Sequence, residues 1–182
     1  RMLTVDMILK KAMKGEMDLM GPAMAVANEL TGIPDFGPGP SDVFEEHLGY
    51  VRNLKKAILM VAGSAAQKLM MTLAKEQEIL MGIADMAIWV YTLESTVLRV
   101  QKLSGLREDV SLQTDMMRVY AYEASEWVHS AGKEALLGFA DGDELKMMLM
   151  GLKRFCKTAD FNTKEARQRI AQHLIAANAY NF

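Results

Sequence analysis

The segment that decides the fold is Glu76-Gln-Glu-Ile-Leu-Met-Gly-Ile-Ala-Asp-Met-Ala-Ile-Trp-Val-Tyr-Thr-Leu-Glu-Ser-Thr-Val-Leu-Arg-Val-Gln-Lys-Leu103. Seven apolar residues recur along it at intervals of three and four: Ile79, Ile83, Met86, Val90, Leu93, Val97 and Val100. This spacing places all of them on one side of an α-helix. We therefore predict a long helix from about Glu76 to Leu103. Ser104-Gly105 should end it, because glycine tolerates the left-handed cap conformation.

A similar apolar stripe precedes this segment and predicts a second long helix. Ser41 is the expected N-cap, and the helix should run to about Leu73 with Lys55 as its one polar interruption. The stripe consists of Phe44, Leu48, Val51, Ile58, Ala62, Ala65 and Leu69.

Three further helices are predicted after Gly105. Asp109 or Ser111 can cap one that reaches Phe139, residues 144–158 form a shorter one, and Thr163 caps the last, over residues 164–179. The apolar sides are Met116, Tyr120, Ala124, Trp127 and Ala131 in the first of these, and Ile170, Leu174 and Ile175 in the last. No segment alternates with a period of two, so we predict an all-α fold, an antiparallel up-down helical bundle.

The N-terminal part is predicted to be a helical arm separate from the bundle. All four prolines lie between residues 22 and 40, and the arm, residues 3–31, could break near Gly21-Pro22. Residues 33–40 read as an extended Pro/Gly linker. The predicted organisation is therefore an arm over residues 1–32, the linker, and a bundle domain over residues 41–182.

Composition excludes several classes of protein. The 182 residues are 51% hydrophobic with a formal net charge of −2, which gives no field that attracts nucleic acid. Cys156 is the only cysteine, so no internal disulfide can form, and a reducing, cytoplasmic location is expected. No secretory signal and no apolar run long enough for a bilayer is visible, so the protein is expected to be at most peripheral to a membrane.

The sequence contains few motifs that indicate catalysis or metal binding. Glu126-Trp-Val-His129 is the only Glu-x-x-His spacing, whereas a carboxylate-bridged metal site in a bundle needs two. His47 and His173 are expected at the surface or at helix ends, and Cys156 in inert packing. Asp85 and Glu94 are expected on a solvent face, with pairing to Arg or Lys across the bundle as the alternative. No nucleophile elbow or phosphate loop occurs. We therefore assign no catalytic, cofactor-binding or metal-ligating residues.

One segment has the pattern of a docking helix. Leu145–Lys157 combines basic residues with a methionine-rich face, which is typical of helices that lie on an anionic membrane or an acidic partner. An ordinary core helix whose lysines reach solvent has the same pattern. The candidate surface consists of Lys146, Met147, Met150, Lys153, Arg154 and Lys157.

Two stretches resemble a known family. Ile83-Ala-Asp-Met-Ala87 departs only in its first residue from the Leu-Ala-Asp-Met-Ala common in the C-terminal bundle of acyl-CoA dehydrogenases. The continuation from Tyr91 to Arg99 resembles the very-long-chain type, which carries an extra C-terminal helical domain. Arg1 looks like the last residue of the Ile-x-Arg that closes the family's Glu-Gly-Thr motif.

The resemblance implies a C-terminal piece of a larger enzyme. Residues 1–32 would close the absent catalytic core, and residues 41–182 would be the added bundle. The parent would bind FAD and oxidise acyl-CoA to trans-2-enoyl-CoA in fatty-acid metabolism, with a carboxylate base that precedes Arg1. Residues 67–75 hold no counterpart of the family's flavin-contacting segment, so no cofactor and no turnover are expected of this piece alone.

Three hypotheses about function remain open from the sequence. The first is a structural and interaction domain that contacts the rest of the parent dehydrogenase and forms a homo-oligomer. The second is a peripheral membrane- or partner-docking module centred on residues 144–158. The third is an unrelated helical bundle with a ligand of its own, such as a metal.

Overall fold

The computed structural model describes residues 2–32 and 39–180, and every regular element in these ranges is helical. Most of the predicted linker, residues 33–38, therefore lies outside the described residues. The α-helices are α1 (Met2–Met13), α2 (Met20–Thr31), α3 (Val43–Leu69), α4 (Gln77–Ser104), α5 (Ser111–Phe139), α6 (Gly142–Phe155) and α7 (Thr163–Ala177). The prediction of an all-α bundle is confirmed.

Helix α4 is the centre of the fold and packs against both α3 and α5. Its predicted stripe is confirmed, because all seven apolar residues from Ile79 to Val100 are buried. Helices α4 and α5 run antiparallel, so that Ile79 lies beside Gly138 and Gly82 lies beside Ala131 and Ala135. Short connections join α3, α4, α5 and α6 in sequence, as an up-down bundle requires.

The deepest side of α3 differs from the predicted one. The most buried residues are Val51, Leu54, Ala57, Val61 and Ala65, whereas Phe44, Leu48, Ile58, Ala62 and Leu69 are only partly buried. The reason is that α3 contacts α2, α4, α5 and α6, so its apolar face is broad. The helix also ends earlier than predicted, at Leu69, where Met70 adopts a positive φ of 45° and a 3₁₀ turn follows over Met70–Lys75.

The predicted stripe on α5 is likewise displaced by one residue. Ala124 is buried as expected, but Trp127 is 57% exposed, and Met116, Tyr120 and Ala131 are only partly buried. The core is instead filled by Met117, Ala121, Ala124, Val128, Ala135 and Leu136. Of the displaced residues, Tyr120 and Ala131 pack against the edge of the core, whereas Trp127 lies outside it.

Several predicted helix ends need correction, among them the start of α5, where Val110 is the N-cap residue and makes no side-chain cap hydrogen bond. The side chain of Asp42, rather than Ser41, caps α3 by accepting hydrogen bonds from the amides of Phe44 and Glu45. Asn162, rather than Thr163, caps α7 through the amide of Glu165. Gly105 follows α4 with a φ of −82°, so the end of α4 does not use the left-handed conformation.

The arm is two helices rather than one, and it breaks earlier than predicted. Helix α1 ends at Met13, and Gly15 beyond it has a φ of +73°, a conformation that glycine tolerates best. Pro22 does not break the arm, because it lies in the first turn of α2, where its missing N–H is not needed.

Helix α2 is docked closely on the bundle. A Cβ atom on Gly63 of α3 would lie 2.9 Å from the Cβ of Ala23, so glycine at this position allows the two helices to touch. Glu29 of α2 also pairs with Lys56 of α3 at 2.8 Å and with Arg154 of α6 at 3.3 Å. The arm therefore packs against the bundle, although residues 33–38 fall between them in sequence.

Helix α7 is a peripheral element that contacts α5. Only Ala166 in it is buried, and the predicted apolar side is shallow: Ile170 and Leu174 are partly buried and Ile175 is 78% exposed. Two charge contacts hold the helix. Arg169 binds both oxygens of Asp115, at 2.6 and 2.8 Å, and Arg167 binds Glu123 at 2.7 Å.

The contact at Gly63 gives a test of how the arm is held. We expect Gly63→Leu to displace α2, because its side chain would occupy the space of Ala23. Amide exchange over residues 20–31 should then accelerate by about tenfold or more, while the core of α4 stays protected. Gly49→Leu is the matched control, because the nearest atom to a Cβ at Gly49 in the same helix is 3.7 Å away. Unchanged exchange of α2 in Gly63→Leu would contradict this packing.

Candidate interaction surface

The most prominent concave feature is a groove between α4 and α5, with a volume of about 830 Å³. Its aromatic end is built by Trp89 of α4 and by Trp127 and Tyr120 of α5. The Trp89 and Trp127 rings are stacked, with centroids 5.8 Å apart and an angle of 5° between planes. The Tyr120 ring also contacts Trp89, with the two ring centroids 5.5 Å apart. We call this feature the α4–α5 groove.

Small residues form the other end of the α4–α5 groove. Gly82, Ala131 and Gly138 line it, and a Cβ at Gly82 would lie 3.5 Å from the carbonyl oxygen of Ala131. The absence of side-chain bulk leaves space for another molecule to approach the helix backbones. Beside this floor, Met81 and Ile88 expose 37% and 48% of their surface. Apolar surface of this kind is characteristic of contact sites rather than of a solvated helix face.

The charged residues that line the α4–α5 groove are all acidic. Glu78, Asp85 and Glu134 line it, and none of its described lining residues is Lys or Arg. Its chemistry therefore suits an apolar or aromatic group flanked by cations, and it opposes an anion such as a phosphate. Asp85 belongs to the motif Ile83–Ala87, so the groove contains a residue that the sequence singled out for another reason.

Asp85 and Glu94 are both partly exposed rather than fully solvated, and Glu94 forms the cross-bundle pair that was the alternative to a solvent face. Asp85 is partly buried in the α4–α5 groove. Glu94 accepts a hydrogen bond from the Lys55 ammonium at 2.7 Å, which links α4 to α3. Lys55 is the polar interruption in the predicted α3 stripe, and its role in the bundle is to pair with Glu94.

A second, smaller cavity of about 200 Å³ lies where α3 and α5 meet the connection between α6 and α7. His47 lies near the start of α3, so the expected helix-end position holds, but it is buried rather than at the surface, and its Nδ1 donates to the Val43 carbonyl at 2.7 Å. Burial is the main cause of a lowered pKa for His47, so the ring is neutral at neutral pH. The cavity is therefore lined by a neutral imidazole ring rather than by an imidazolium cation.

Tyr50 of α3 links this helix to the connection between α6 and α7. Its hydroxyl donates to Glu46 at 2.6 Å and accepts from the amide of Ala159 at 3.0 Å. Burial, followed by the bond to Glu46, raises the pKa of Tyr50 to about 12. Arg118 lies over the Phe161 ring at 5.5 Å. These contacts fasten the α6–α7 connection, and we assign them a structural role.

Most of the predicted docking residues are exposed, although Lys157 lies beyond the end of α6 at Phe155. Met150 is 73% exposed, Met147 is 42% exposed, and Lys146, Lys153 and Lys157 are exposed with them. Arg154 points elsewhere and pairs with Glu29 of α2, and Lys146 pairs with Asp143 at 2.8 Å. The buried side of α6 is formed by Met148, Gly151, Leu152 and Phe155. Binding of this face to a membrane or a partner stays a prediction.

Other candidate chemistry has a plain structural explanation. Among residues 2–32 and 39–180, no three His, Cys, Asp or Glu side chains converge as metal ligands. Burial raises the pKa of the Cys156 thiol to about 12, so the group stays protonated and unreactive. Within the same ranges, no helix is both long and apolar enough to cross a bilayer.

The sequence reasoning missed the α4–α5 groove itself. Trp89 falls outside the predicted stripe of α4, and Trp127 was placed in the core. The signal in the sequence was the presence of one tryptophan on each of two helices that were predicted to be adjacent. Periodicity could not give the register that stacks them.

Comparisons with known proteins agree with these helices. Residues 53–154, from within α3 to the end of α6, match the family model for the acyl-CoA dehydrogenase C-terminal domain. The chain is 32% identical over 182 residues to a probable acyl-CoA dehydrogenase from Bacillus subtilis (strain 168), covering 99% of this chain and 30% of that protein.

A solved structure is similar over the whole chain. The crystal structure of an acyl-CoA dehydrogenase complexed with FAD from Bacillus anthracis matches with a TM-score of 0.90 and 33% identity, covering 100% of this chain and 30% of that one. The chain thus spans less than a third of the length of either relative.

The stacked tryptophans allow a direct test of the groove geometry. We expect Trp127→Ala to remove most of the near-ultraviolet circular dichroism that arises from coupling of the two indoles. The free energy of unfolding should change by less than about 1 kcal/mol, because Trp127 is mostly exposed. Tyr122→Ala, a change to another exposed aromatic on α5, is the control. A near-ultraviolet spectrum insensitive to Trp127→Ala would show that the rings are not stacked.

Proposed function

Because the chain belongs to the acyl-CoA dehydrogenase family, we propose that it is a non-catalytic structural and interaction domain of an FAD-dependent member of that family. The whole enzyme would oxidise acyl-CoA to trans-2-enoyl-CoA in fatty-acid oxidation. Its partners would be the rest of the same polypeptide and further copies of itself. The single cysteine, Cys156, favours a cytoplasmic location.

The observation that carries this proposal is the exposed aromatic and apolar surface of the α4–α5 groove. Soluble monomers rarely leave a contiguous apolar patch of this kind uncovered, and such patches mark contact sites. The stacked Trp89 and Trp127 are residues of the type that dominates binding energy at interfaces. A bundle whose core is complete and whose outer side keeps this surface is suited to binding another protein surface.

The described residues do not fit FAD. Its pyrophosphate is anionic and is normally held by helix N-termini, backbone amides or cationic side chains. The α4–α5 groove presents Glu78, Asp85 and Glu134 instead, and the cavity beside His47, at about 200 Å³, is too small for a dinucleotide. We therefore derive no step of flavin chemistry from this chain and assign flavin binding to the rest of the enzyme.

Expression of the chain alone and of the complete reading frame tests this division. We expect the 182-residue chain to be folded, helical and colourless, and to oxidise no acyl-CoA in the presence of added FAD and an electron acceptor. The complete polypeptide should show flavin absorption and reduce the acceptor with acyl-CoA. Bound flavin or acyl-CoA oxidation with the chain alone would overturn the proposal. A complete polypeptide without bound flavin would also contradict it.

A further inference from the structure

We propose that the methionines between α2 and the bundle are sites of reversible oxidation by peroxide, and that their conversion to sulfoxides releases α2. The chain has 16 methionines. Five of them line one cavity of about 200 Å³, to which α2, α3 and α6 all contribute. We call these five residues the methionine seam: Met20, Met24, Met60, Met147 and Met148. Their oxidation requires neither flavin nor acyl-CoA, so it is independent of the proposed enzymatic role.

The methionine seam has an outer and an inner part, which differ in exposure. Met20, Met24 and Met147 are 57%, 62% and 42% exposed, whereas Met60 and Met148 are buried. A dissolved peroxide can therefore reach the three outer thioethers directly. The two inner methionines line the same cavity from α3 and α6, so we expect α2 to shield them for as long as it stays docked.

The chemistry is an oxygen transfer that a thioether undergoes without a cofactor. The sulfur attacks one oxygen of hydrogen peroxide, so that an S–O bond forms and the O–O bond breaks. The displaced hydroxide takes the proton of the transferred hydroxyl group and leaves as water. The sulfur is thereby oxidised by two electrons and the peroxide is reduced. The product, methionine sulfoxide, is polar, and methionine sulfoxide reductases return it to the thioether.

The attachment of α2 depends strongly on these side chains. Val26 is the one buried residue among the described residues of α2. The ion pairs of Glu29 are partly exposed, so they contribute little by themselves. Of the residues by which α2 lines the cavity, the large apolar ones are Met20, Met24 and Leu30. Two of the three main apolar contacts on this side of α2 are therefore open to oxidation.

A sulfoxide fits the methionine seam poorly. Its oxygen requires a hydrogen-bond donor, and the polar side chains among the lining residues are Ser64, Gln67 and Glu144, of which the last is a carboxylate and cannot donate. The oxidised side chains would therefore turn out to water, which removes their apolar contact with α3 and α6. Loss of this contact favours the detached state of α2 and uncovers Met60 and Met148.

Treatment of the 182-residue chain with hydrogen peroxide, followed by peptide mass spectrometry and amide exchange, tests the proposal. We expect the three outer methionines to be oxidised first, and amide exchange over residues 20–30 then to accelerate by at least about tenfold. Met60 and Met148 should be oxidised in a second, slower phase. Met86 and Met117 are buried in the core between α4 and α5 and should stay reduced. Methionine sulfoxide reductases should restore slow exchange of α2.

Leucine variants separate oxidation from packing. In the triple variant Met20→Leu, Met24→Leu and Met147→Leu, the side chains keep a similar volume and stay apolar, but they cannot be oxidised. We expect α2 of this variant to stay docked in peroxide and the inner methionines to stay reduced. Met150→Leu is the matched control, because Met150 is 73% exposed on α6 but does not line the methionine seam. This control should respond to peroxide as the unchanged chain does.

Three results would overturn the proposal. The first is complete oxidation of the outer methionines without faster exchange of α2. The second is oxidation of Met60 and Met148 at the same rate as the outer methionines, which would show that α2 does not shield them. The third is an equal response to peroxide in the triple leucine variant, with circular dichroism confirming that the variant is folded before treatment. None of these readouts involves flavin, so failure here leaves the proposed function standing.

Discussion

The antiparallel packing of α4 against α5 is the constraint on which the rest of the structure depends. Helix α4 presents large apolar residues along one side, and the residues of α5 that pack in the core include small ones, among them Ala121, Ala124 and Ala135. At Gly132 a Cβ would lie 3.1 Å from Met86 and 2.9 Å from Leu152, so this position admits both neighbours only without a side chain. Large residues facing small ones let helices interdigitate at close range. That register fixes the core, and it also brings Trp89 and Trp127 together outside it.

Much of the fold could be predicted from the sequence because α4 has one narrow, unambiguous stripe. The number and order of the long helices followed from similar patterns. The stripes of α3 and α5 were misplaced for a physical reason: each helix has partners on more than one side, so its apolar surface is wide. Periodicity then shows that a face of the helix is apolar, but not which residues of that face are the most deeply buried. Trp127 and Val128 are adjacent and both apolar, yet only Val128 enters the core.

The candidate site was harder to predict than the fold. The α4–α5 groove depends on residues from two helices brought together in one register, and no local motif encodes that. The resemblance of Ile83–Ala87 to the acyl-CoA dehydrogenases led to the right family, which the family model over residues 53–154 supports. It gave no role for Asp85, which the structure places in the lining of the α4–α5 groove. The basic pattern of α6 was visible in the sequence, whereas the pairing of Arg154 with Glu29 across 125 positions of the chain was not.

Hydrogen exchange followed by mass spectrometry, on the chain by itself, tests most directly whether the α4–α5 pair organises the molecule. The slowest amides should lie in Ile83–Val97 of α4 and Ala121–Leu136 of α5, since these stretches bury the core residues. Helix α7, with only Ala166 buried, should exchange much faster. Exchange of α4 as fast as that of α7 would contradict the central place given to this helix pair.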